Sequence, residues 1–486
     1  MTLAAGSLFL KDGVTFTANT FTQTAGSALV MDVGTTLAAD TEGVTLNHLA
    51  INLASMEGTK VALVKASAAD KNVTVSGPIH FLDSDGYYYE NHSLSKSQEF
   101  SFLEFSALGT VTLTNVPAVP VESHPQHFGY QGTWALTWVP DTTSSPKTNK
   151  ATATWTKTGY IPNPERRGPL VPNSLWGAFV DIRGLQAMLE RSANTLYQQR
   201  GFWVAGLANF LHKDKTETRR GYRHTSAGYV LGAGTQTASE DVFQVAFCQL
   251  FGRDQDHLVA KNRADMYSGA VYYQHTGVTK DFSRFFSQDA GLETHPLVLE
   301  AQLAYGHTSN EMKTRYTRYS EVQGNWGNDM LSVELGGRVL YSPKSVSWLD
   351  SYAPYVKLQV VYAHQEDFEE QGREGRVFTN SNLFNVAVPL GLRMEKFLEN
   401  EEGSFDVTVA YVPDVIRSNP DSTTSLVISG VSWKTLSADL SRQAVVFRGG
   451  SHYALGSELE VFGQCAFELR GSSRSYTIDL GGKLHF

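Results

Sequence analysis

From residue 201 onward, the chain is built of strand-length segments in which apolar and polar residues alternate. In the segment 352–362 every even-numbered position is apolar or aromatic, whereas Lys357 and Gln359 occupy odd positions. The segments 331–341 and 459–469 alternate in the same way. Because successive side chains of a strand point to opposite faces, each segment predicts a strand with one apolar face and one polar face.

The length of these segments and the charges in them favour a membrane barrel over a soluble sandwich. Between Tyr352 and Tyr362 a strand tilted by about 45° would rise roughly 23 Å along the membrane normal, close to the apolar band of an outer-membrane barrel. Charges such as Glu334, Arg338 and Glu460 fall on the polar face. A dry sandwich core would accommodate these charges only at a high cost in free energy. A water-filled lumen accommodates them readily.

The number of strands and the direction of their faces follow from the same pattern. We count twelve or thirteen candidate strands after residue 200, with the ambiguity between residues 424 and 455. Twelve is chosen because a barrel with both ends in the periplasm needs an even number. A charge at Val356 or Val360 is predicted to be costly, whereas changes at Lys357 or Gln359 should be mild.

The final segment predicts a last barrel strand that ends on Phe486. Its apolar parity faces lipid and its other parity faces the lumen. The apolar set is Tyr476, Ile478, Leu480, Leu484 and Phe486, and the other set is Thr477, Asp479, Gly481, Lys483 and His485.

One amphipathic helix is predicted over residues 173–200, with Asn173 or Ser174 as its N-cap. Its apolar residues recur at three- and four-residue steps: Phe179, Ile182, Leu185, Leu189, Ala193 and Leu196. Its charged face carries Asp181, Arg183, Glu190 and Arg191. Such a helix usually packs on an ordinary core. Because this one immediately precedes the first strand, we expect it inside the pore, against a lumen lined by Glu334, Arg338 and Glu460.

The first 116 residues predict many short strands and contain one internal echo. The stretch 6–12 recurs at 26–32, a period close to one rung of a parallel β-helix, although chance similarity is the alternative. Nine prolines between residues 117 and 172 mark a passage between domains. The predicted domains are 1–30, the end of β-helical passenger repeats; 31–160, a β-rich middle domain; 161–200, a Pro-rich linker and pore helix; and 201–486, the barrel.

Composition and motifs exclude several functions. With 40 Lys plus Arg against 49 Asp plus Glu, the chain lacks the basic field that nucleic acid needs. No apolar run reaches the ~18 residues of a spanning helix. No motif of a hydrolase elbow, zinc helix or phosphate loop is present, so we predict no enzyme, no cofactor and no metal site.

The acidic stretch 365–370 is interpreted as solvated surface. Cys248 and Cys465 fall on strands three and eleven, too far apart for a disulfide bond.

Several of these segments together resemble the chlamydial polymorphic membrane proteins, which are type V autotransporters. The segment 16–19 matches the family's Phe-x-x-Asn repeat, and 26–29 is a degraded form of its Gly-Gly-Ala-(Ile/Leu/Val) repeat. More specific are the tracts 129–138 and 162–176 and the terminal Phe486. The pattern of Asp479, Gly481, Leu484 and Phe486 looks like the signal read by the outer-membrane barrel assembly machinery.

The resemblance implies an all-β chain: a C-terminal twelve-stranded transmembrane β-barrel with a pore helix, preceded by the end of a parallel β-helix passenger and a middle domain. It implies location in the outer membrane, with lipid and the assembly machinery as partners, and a passenger at the cell surface that acts as an adhesin on a host-cell receptor. Family members carry many repeats and a signal peptide, so we expect this chain to be the C-terminal portion of a longer product. The alternative function is a porin-like or structural envelope barrel.

Overall fold

The computed structural model describes residues 1–82, 90–122, 127–194, 200–217, 220–237, 240–278, 295–317, 319–343, 348–398 and 402–486. The chain divides into two compact units, Met1–Asn163 (unit 1) and Pro164–Phe486 (unit 2), which are considered separately. Among the described residues, no helix is both long enough and apolar enough to cross a bilayer.

Unit 1 consists of short strands followed by a long hairpin. A single 3-10 turn, Leu53–Ser55, interrupts the strands of its described residues. These strands are β1 (Thr2–Leu3), β2 (Gly6–Leu10), β3 (Thr15–Ala18), β4 (Phe21–Gln23), β5 (Ser27–Met31), β6 (Thr36–Ala39), β7 (Val44–Leu46), β8 (Leu49–Asn52), β9 (Ala62–Ala66), β10 (Val73–Ser76), β11 (Ile79–Leu82), β12 (Glu90–Asn91), β13 (Gln98–Ala107), β14 (Val111–Thr114), β15 (Val121–Glu122), β16 (Phe128–Asp141) and β17 (Lys147–Ile161).

The short strands of unit 1 form three parallel stacks, as a β-helix does. One stack is β1-β4-β7-β10-β14, a second is β2-β5-β8-β11-β15, and a third contains β3-β6-β9-β13. The predicted parallel β-helix is therefore present, but the pairing joins Gly6 to Ser27 rather than to Gly26, one residue from the sequence echo. Parallel pairing also continues to Val121, opposite His80. It does not stop at the predicted boundary at residue 30.

The interior of unit 1 is apolar and tightly packed. Leu46, Val64 and Phe105 have no exposed surface, and they belong to one continuous cluster of buried side chains. The hairpin β16–β17 is antiparallel and continues the third stack by pairing with β13. Trp155 of this hairpin is fully buried, and its indole N–H donates to the carbonyl of Leu94 at 3.1 Å. The hairpin thus extends the hydrophobic core of the β-helix.

Unit 2 begins with a 3-10 turn, Pro164–Arg167, and one helix, α1 (Leu170–Ala193). Strands, most of them long, make up most of its other described residues. They are β18 (Gly201–Lys213), β19 (Tyr222–Gln236), β20 (Val242–Gln255), β21 (Ala260–Val278), β22 (Pro296–Thr314), β23 (Val322–Val339), β24 (Ser351–Gln365), β25 (Phe368–Glu369), β26 (Arg376–Phe378), β27 (Ser381–Ala387), β28 (Leu390–Phe397), β29 (Gly403–Ser418), β30 (Asp421–Leu426), β31 (Ser432–Leu436), β32 (Gln443–Ala454), β33 (Leu459–Arg470) and β34 (Ser473–His485).

The long strands close into a barrel with twelve strand positions, which confirms the predicted number. Neighbours along the chain pair antiparallel, and β34 closes the ring by pairing with β18, Gly201 opposite His485. The eighth position is shared by β27 and β28, which both pair with β24 and β29. Proline lacks a backbone N–H, and Pro389 lies at this interruption.

The two ends of the barrel differ. One end, here called the terminal end, contains Gly201 and Phe486. The N–H of Phe486 donates to the carbonyl of Arg200 at 3.0 Å. At the opposite end, here called the loop end, β25, β26, β30 and β31 form a separate four-stranded antiparallel sheet, here called the cap. The cap explains the ambiguous strand count, because two short strands between residues 421 and 436 belong to it and not to the barrel wall.

The faces of the barrel wall are those that the alternation predicts. Val356 is 50% exposed and Leu358 41% exposed, whereas Lys357 between them is 7% exposed. On β34, Leu480 and Leu484 face outward while Asp479 is buried. The apolar parity therefore forms the outside of the barrel and the polar parity its lumen.

Helix α1 begins earlier than predicted, at Leu170, and the predicted N-cap is wrong. No side chain caps its N-terminus. Pro172 is compatible with the first turn because the N–H groups there have no intrahelical acceptor. Asn173 instead accepts a hydrogen bond from the N–H of Ala438 at 2.6 Å, and Ser174 donates to the carbonyl of Val171. The helix ends at Ala193, and the predicted continuation through Leu196 lies outside the described residues.

Candidate functional site

Helix α1 lies inside the barrel, because its side chains bond to strands on every side. Asp181 accepts from Asn209 of β18 at 3.0 Å. Gln186 accepts from Ser332 of β23 at 2.8 Å. Ser192 donates to Gln244 of β20 at 2.6 Å, and Glu190 accepts from Lys357 of β24 at 2.8 Å. Twenty of its twenty-four residues are buried. The helix is the plug of the lumen.

The helix runs from the loop end to the terminal end. Near its start, Trp176 donates to the carbonyl of Ala438, which follows the cap strand β31. Near its end, the ammonium of Lys483, three residues before the end of the chain, donates to the carbonyl of Ser192 at 3.4 Å. The chain therefore enters the barrel among the loops and reaches the first strand at the opposite end.

Two glycines let the helix approach the wall closely. A Cβ atom at Gly177 would lie 2.5 Å from Nδ1 of His224, and one at Gly184 would lie 2.5 Å from Oδ1 of Asn209. Seven residues correspond to two helical turns, so both glycines face β18 and β19. Glycine in a helix costs about 1 kcal/mol relative to alanine. Here it makes room for the buried polar contacts of Asp181.

The contacts of Asp181 form a chain of buried polar groups, here called the His224 cluster. Nε2 of His224 lies 3.2 Å from Asp181, and its Nδ1 lies 2.8 Å from Asp254. Tyr222 donates to Asp254, and Ser226 donates to Asp181. All five residues are less than 5% exposed. A carboxylate on either side of one imidazole satisfies both ring nitrogens and fixes the height of the helix against β19.

A second group, here called the Lys357 cluster, surrounds Glu190 in the last turn of the helix. Nζ of Lys357 contacts Glu190, Glu300 and Glu334 at 2.8, 2.7 and 2.9 Å. Arg338 lies 3.2 Å from Glu300, and Arg448 lies 3.5 Å from Glu190. Three carboxylates thus face three cations. Buried charges are tolerated when paired in this way, and removing one partner is strongly destabilising. These contacts argue against the prediction that changes at Lys357 are mild, and a large loss of stability is expected instead.

The three glutamates of this cluster also have the spacing of a metal site, with ligand oxygens within 4.8 Å of one another. The Lys357 ammonium contacts all three carboxylates and already supplies the cation. The arrangement is accordingly a structural ion cluster that holds the helix to β22, β23 and β24.

The other predicted charges of the helix also find partners on the wall. Arg191 pairs with Asp406 of β29, which also lies 3.6 Å from Arg393. Arg183 lies 3.7 Å from Glu468 of β33. Neither carboxylate was predicted as a partner of the helix, although both lie on the polar parity of their strands.

The predicted lumen residues are only partly correct as partners. Glu334 and Arg338 belong to the cluster around Glu190, as expected. Glu460 does not face the helix charges, because it is bonded to His452 at 2.9 Å and to His485 at 3.1 Å. The reason is its position along the barrel axis, because Glu460 is the second residue of β33 and lies at the terminal end.

Five of the six apolar residues predicted for the helix are buried, and the sixth, Leu196, lies outside the described residues. Phe179 is 3% exposed, and Ile182 and Leu189 are fully buried in the same apolar cluster as Leu207 and Val230 of the wall. The helix thus packs on apolar wall residues and on two separate polar groups, the His224 cluster on the early strands and the Lys357 cluster on β22–β24. Beside the helix, a cavity of about 80 Å³ remains next to Lys357 and Glu468.

The acidic stretch after β24 is not solvated surface throughout. Glu370 is fully buried, and its carboxylate accepts from Nη2 of Arg376 at 2.8 Å and from Nε at 2.9 Å. The carbonyl of Arg166 accepts from the same guanidinium, and the Arg166 side chain stacks 3.6 Å from the ring centre of Tyr316. This pairing joins the cap to the segment that leads into the helix.

The four residues predicted as an assembly signal lie on the strand that closes the barrel. Asp479 faces the lumen, whereas Leu484 and Phe486 are 51% and 66% exposed on the outside. Gly481 cannot carry a side chain, because a Cβ would lie 2.6 Å from the ring of Phe462 and 2.7 Å from Ala205. Phe486 contacts Phe202 with ring centres 5.4 Å apart. The glycine and aromatic are thus explained by packing, and their role in assembly stays a prediction.

A twelve-stranded barrel plugged by the helix that precedes it defines an autotransporter translocator, and comparisons with known proteins agree. The autotransporter beta-domain model matches residues 202–465, and the Chlamydia polymorphic membrane protein middle domain model matches residues 6–157. The match to the middle domain model includes most of the segment 1–30. The predicted boundaries at residues 30 and 160 stay predictions.

Relatives in Chlamydia pneumoniae match the chain along its full length. The probable outer membrane protein pmp10 is 55% identical over 488 residues, covering 100% of this chain and 53% of its own length. The probable outer membrane protein pmp8 is 42% identical, covering 100% and 52%. This chain belongs to the polymorphic membrane protein family of autotransporters, and it is an outer-membrane protein. It spans about half the length of the curated relatives it matches.

Among solved structures, the translocator domain of the autotransporter NalP from Neisseria meningitidis aligns with 65% of this chain and 99% of its own length. The identity is 12% and the TM-score is 0.49.

Proposed function

We propose that unit 2 anchors the chain in the outer membrane and displays unit 1 at the cell surface, where the β-helix acts as an adhesin toward a host-cell receptor. The observation that supports display is the direction of α1. Residues 164–170 lie among the loops, so a chain joined at Pro164 emerges at the end opposite Gly201 and Phe486. With the termini of the barrel in the periplasm, that end faces outward.

Assembly into the membrane is proposed to depend on the barrel assembly machinery and on β34. The outward face of this strand is apolar up to Phe486, while Gly481 keeps the strand close to β18 and β33. Deletion of Phe486 should lower the yield of heat-resistant barrel in cells more than the yield of refolding in detergent. Equal losses in both settings would mean that the aromatic acts only through packing on Phe202.

Surface display is tested with epitope tags at two turns that are predicted to lie on opposite sides of the outer membrane. One tag is inserted at Gly58, an exposed turn of the β-helix, and the control tag is inserted at Gly456, between β32 and β33 at the terminal end. Fused to a signal peptide and expressed in intact bacteria, the Gly58 tag should bind antibody and the Gly456 tag should bind only after permeabilisation. The reverse result would contradict the orientation.

The porin-like alternative is tested by conductance. An α-helix with side chains is about 10 Å across and fills most of a twelve-stranded lumen. The intact chain should therefore conduct little in planar bilayers, and a chain lacking residues 170–193 should conduct several-fold more. Heat-dependent gel mobility verifies that the deleted chain still forms a barrel. High conductance by the intact chain would favour the porin.

Adhesion itself is tested with unit 1. Antibody fragments against the exposed face of β16 and β17 should reduce attachment of displaying bacteria to cultured cells, whereas fragments against the cap should not. Attachment that is unchanged by either fragment would contradict the adhesin role while leaving display intact.

A further inference from the structure

The outer surface of the barrel carries a group of cations near the loop end of β20, β21 and β22. Arg253, Lys261 and Arg263 are exposed on this surface, with Lys313 and Arg315 beside them. They line a groove with a volume of about 480 Å³. We call these five residues the basic patch.

The patch places like charges directly opposite one another. Arg253 of β20 pairs in register with Arg263 of β21, and Lys261 of β21 pairs with Lys313 of β22. Like charges in directly opposed cross-strand positions destabilise a sheet. Two such pairs on neighbouring positions of one surface therefore create a site at which an anion would relieve the repulsion.

The acidic residues nearby neutralise the patch only in part. Glu311 of β22 lies directly opposite Arg263 in register, and Asp265 is exposed two residues further along β21. Lys313 lies 3.3 Å from Glu311, and Arg315 lies 3.5 Å from Glu321, both as exposed pairs. Among the residues that the structure describes, Arg253, Lys261 and Arg263 form no ion pair. Asp254, the remaining acid of the groove, is buried and bonded to His224 in the lumen. Three guanidinium or ammonium groups thus remain available on the outside.

The patch borders the apolar surface of the barrel. Tyr229 donates to Gln249, and Gln249 donates to Tyr267, which gives a row of exposed aromatic residues of the kind found at a membrane interface. Arg253 follows Gln249 by four residues, and Arg263 precedes Tyr267 by four, toward the loop end. At the strand rise and tilt of such barrels, the patch lies about 10 Å beyond this row. That is the depth of lipid headgroups.

We infer that the basic patch binds the phosphate groups of a phosphorylated glycolipid in the outer leaflet, whose acyl chains lie along the apolar face of β20 and β21. Arginine binds phosphate through two parallel hydrogen bonds, and lysine binds it as a point charge. Phe251, 53% exposed and two residues from Arg253, provides acyl contact immediately below the phosphates. The placement in the outer leaflet rests on the orientation proposed above.

Binding is tested on the full chain refolded in detergent, with bisphosphorylated lipid A as the probe. The variant is Arg253→Gln/Lys261→Gln/Arg263→Gln. The matched control, Lys434→Gln/Arg442→Gln/Arg474→Gln, removes three exposed cations at the same end of the barrel outside β20–β22. Both variants change exposed side chains, and heat-dependent gel mobility verifies that each is folded.

Native mass spectrometry should detect one lipid A retained by the intact chain and by the control against excess phosphatidylethanolamine. The patch variant should retain roughly tenfold less, as expected for the loss of charge-assisted hydrogen bonds. Equal retention by the patch variant and the control would overturn the inference. So would equal retention of lipid A without phosphates, or displacement of lipid A by a heparin oligosaccharide at matched concentration, which would indicate a soluble polyanion. Because the measurement is made in detergent, its failure is distinct from a failure of the tag experiment on orientation.

Discussion

The two units of this chain place their apolar and charged residues on opposite sides of their sheets. In the β-helix, Leu46 and Val64 are fully buried and the charged residues lie outside. In the barrel, Leu480 is 67% exposed, whereas Glu460 is fully buried and Lys357 nearly so. Apolar and polar residues alternate along strands of both units, for example along β10 and along β34. What differs is the solvent on the outside, water around the β-helix and lipid around the barrel wall.

The comparison shows that the two interiors are stabilised in different ways. An apolar core requires volume and shape, and many substitutions of similar size satisfy it. A charged lumen requires specific partners, because a buried charge without a counterion is far more costly than a small cavity. The predictions below separate these two kinds of interior, from the largest expected effect to the smallest.

The largest effect is expected at Lys357. In Lys357→Met, the carboxylates of Glu190, Glu300 and Glu334 lose the cation they share, and the loss should be about 3 to 5 kcal/mol of barrel stability. Urea unfolding of the refolded barrel in detergent measures it. Lys261→Met, an exposed lysine of the same barrel, is the control and should change stability by less than about 0.5 kcal/mol. Equal effects would show that the lumen is wet enough to replace the cation.

The next comparison concerns two leucines with opposite surroundings. Leu46→Ala in the β-helix leaves a cavity in a packed core and should cost about 2 to 5 kcal/mol. Leu358→Ala on the barrel exterior leaves no cavity, because lipid or detergent chains fill the space, and should cost less than about 1 kcal/mol. Pulse proteolysis in urea, read on peptides of each unit, measures both. A larger loss for Leu358 would place that residue in a protein contact.

A third comparison inserts one charge on two exposed valines. Val356→Lys on the barrel exterior should cost about 2 to 4 kcal/mol near the middle of the bilayer. Val139→Lys in the β16–β17 hairpin, a valine that is 58% exposed, should change stability by less than about 0.5 kcal/mol. Unfolding in lipid vesicles and in water, respectively, gives the two values. If Val139 behaves like Val356, its surface is covered by a partner.

The smallest effect concerns the two cysteines, which are free. Cys465 is exposed on the outside of the barrel, whereas Cys248 is buried in the apolar cluster of the lumen. A lipophilic maleimide should label Cys465 in the folded barrel and Cys248 only after unfolding, with no change in stability. They lie on the third and eleventh strand positions, as predicted. A peptide joined through both cysteines in the monomer would contradict this strand order.

The sequence predicted the faces of the barrel but not the partners within it. Parity alone places Lys357 inward and Val356 outward, since it needs only the direction of one strand. The three glutamates around Lys357 come from α1 and two neighbouring strands. They meet only because these elements are aligned along the barrel axis, and the residue pattern of a single strand carries no information about that alignment. His224 was not identified for the same reason, because Asp181 and Asp254 reach it from two other elements.

The β-helix was detected but its extent was not. Leu49 pairs with Leu29, Ile79 with Leu49, and Val121 with His80, so the spacing between rungs lengthens along the chain. A search for a fixed period finds only the first two rungs, which are close to equal in length. The buried end of the acidic stretch was missed for a comparable reason: Glu370 is neutralised by Arg376, a residue on the next cap strand.

The direction of α1 has a topological consequence. The chain passes through a ring that is made of its own later residues, and the last contact of that ring, Gly201 with His485, joins positions almost three hundred residues apart in sequence. A folded three-sided β-helix is far wider than an opening that one helix fills. The barrel must therefore close around a segment 164–193 that is already in place, or the chain must pass through the closed barrel before unit 1 folds. In either order of events, once both units are folded, the chain cannot be withdrawn from the ring in either direction without unfolding one of them.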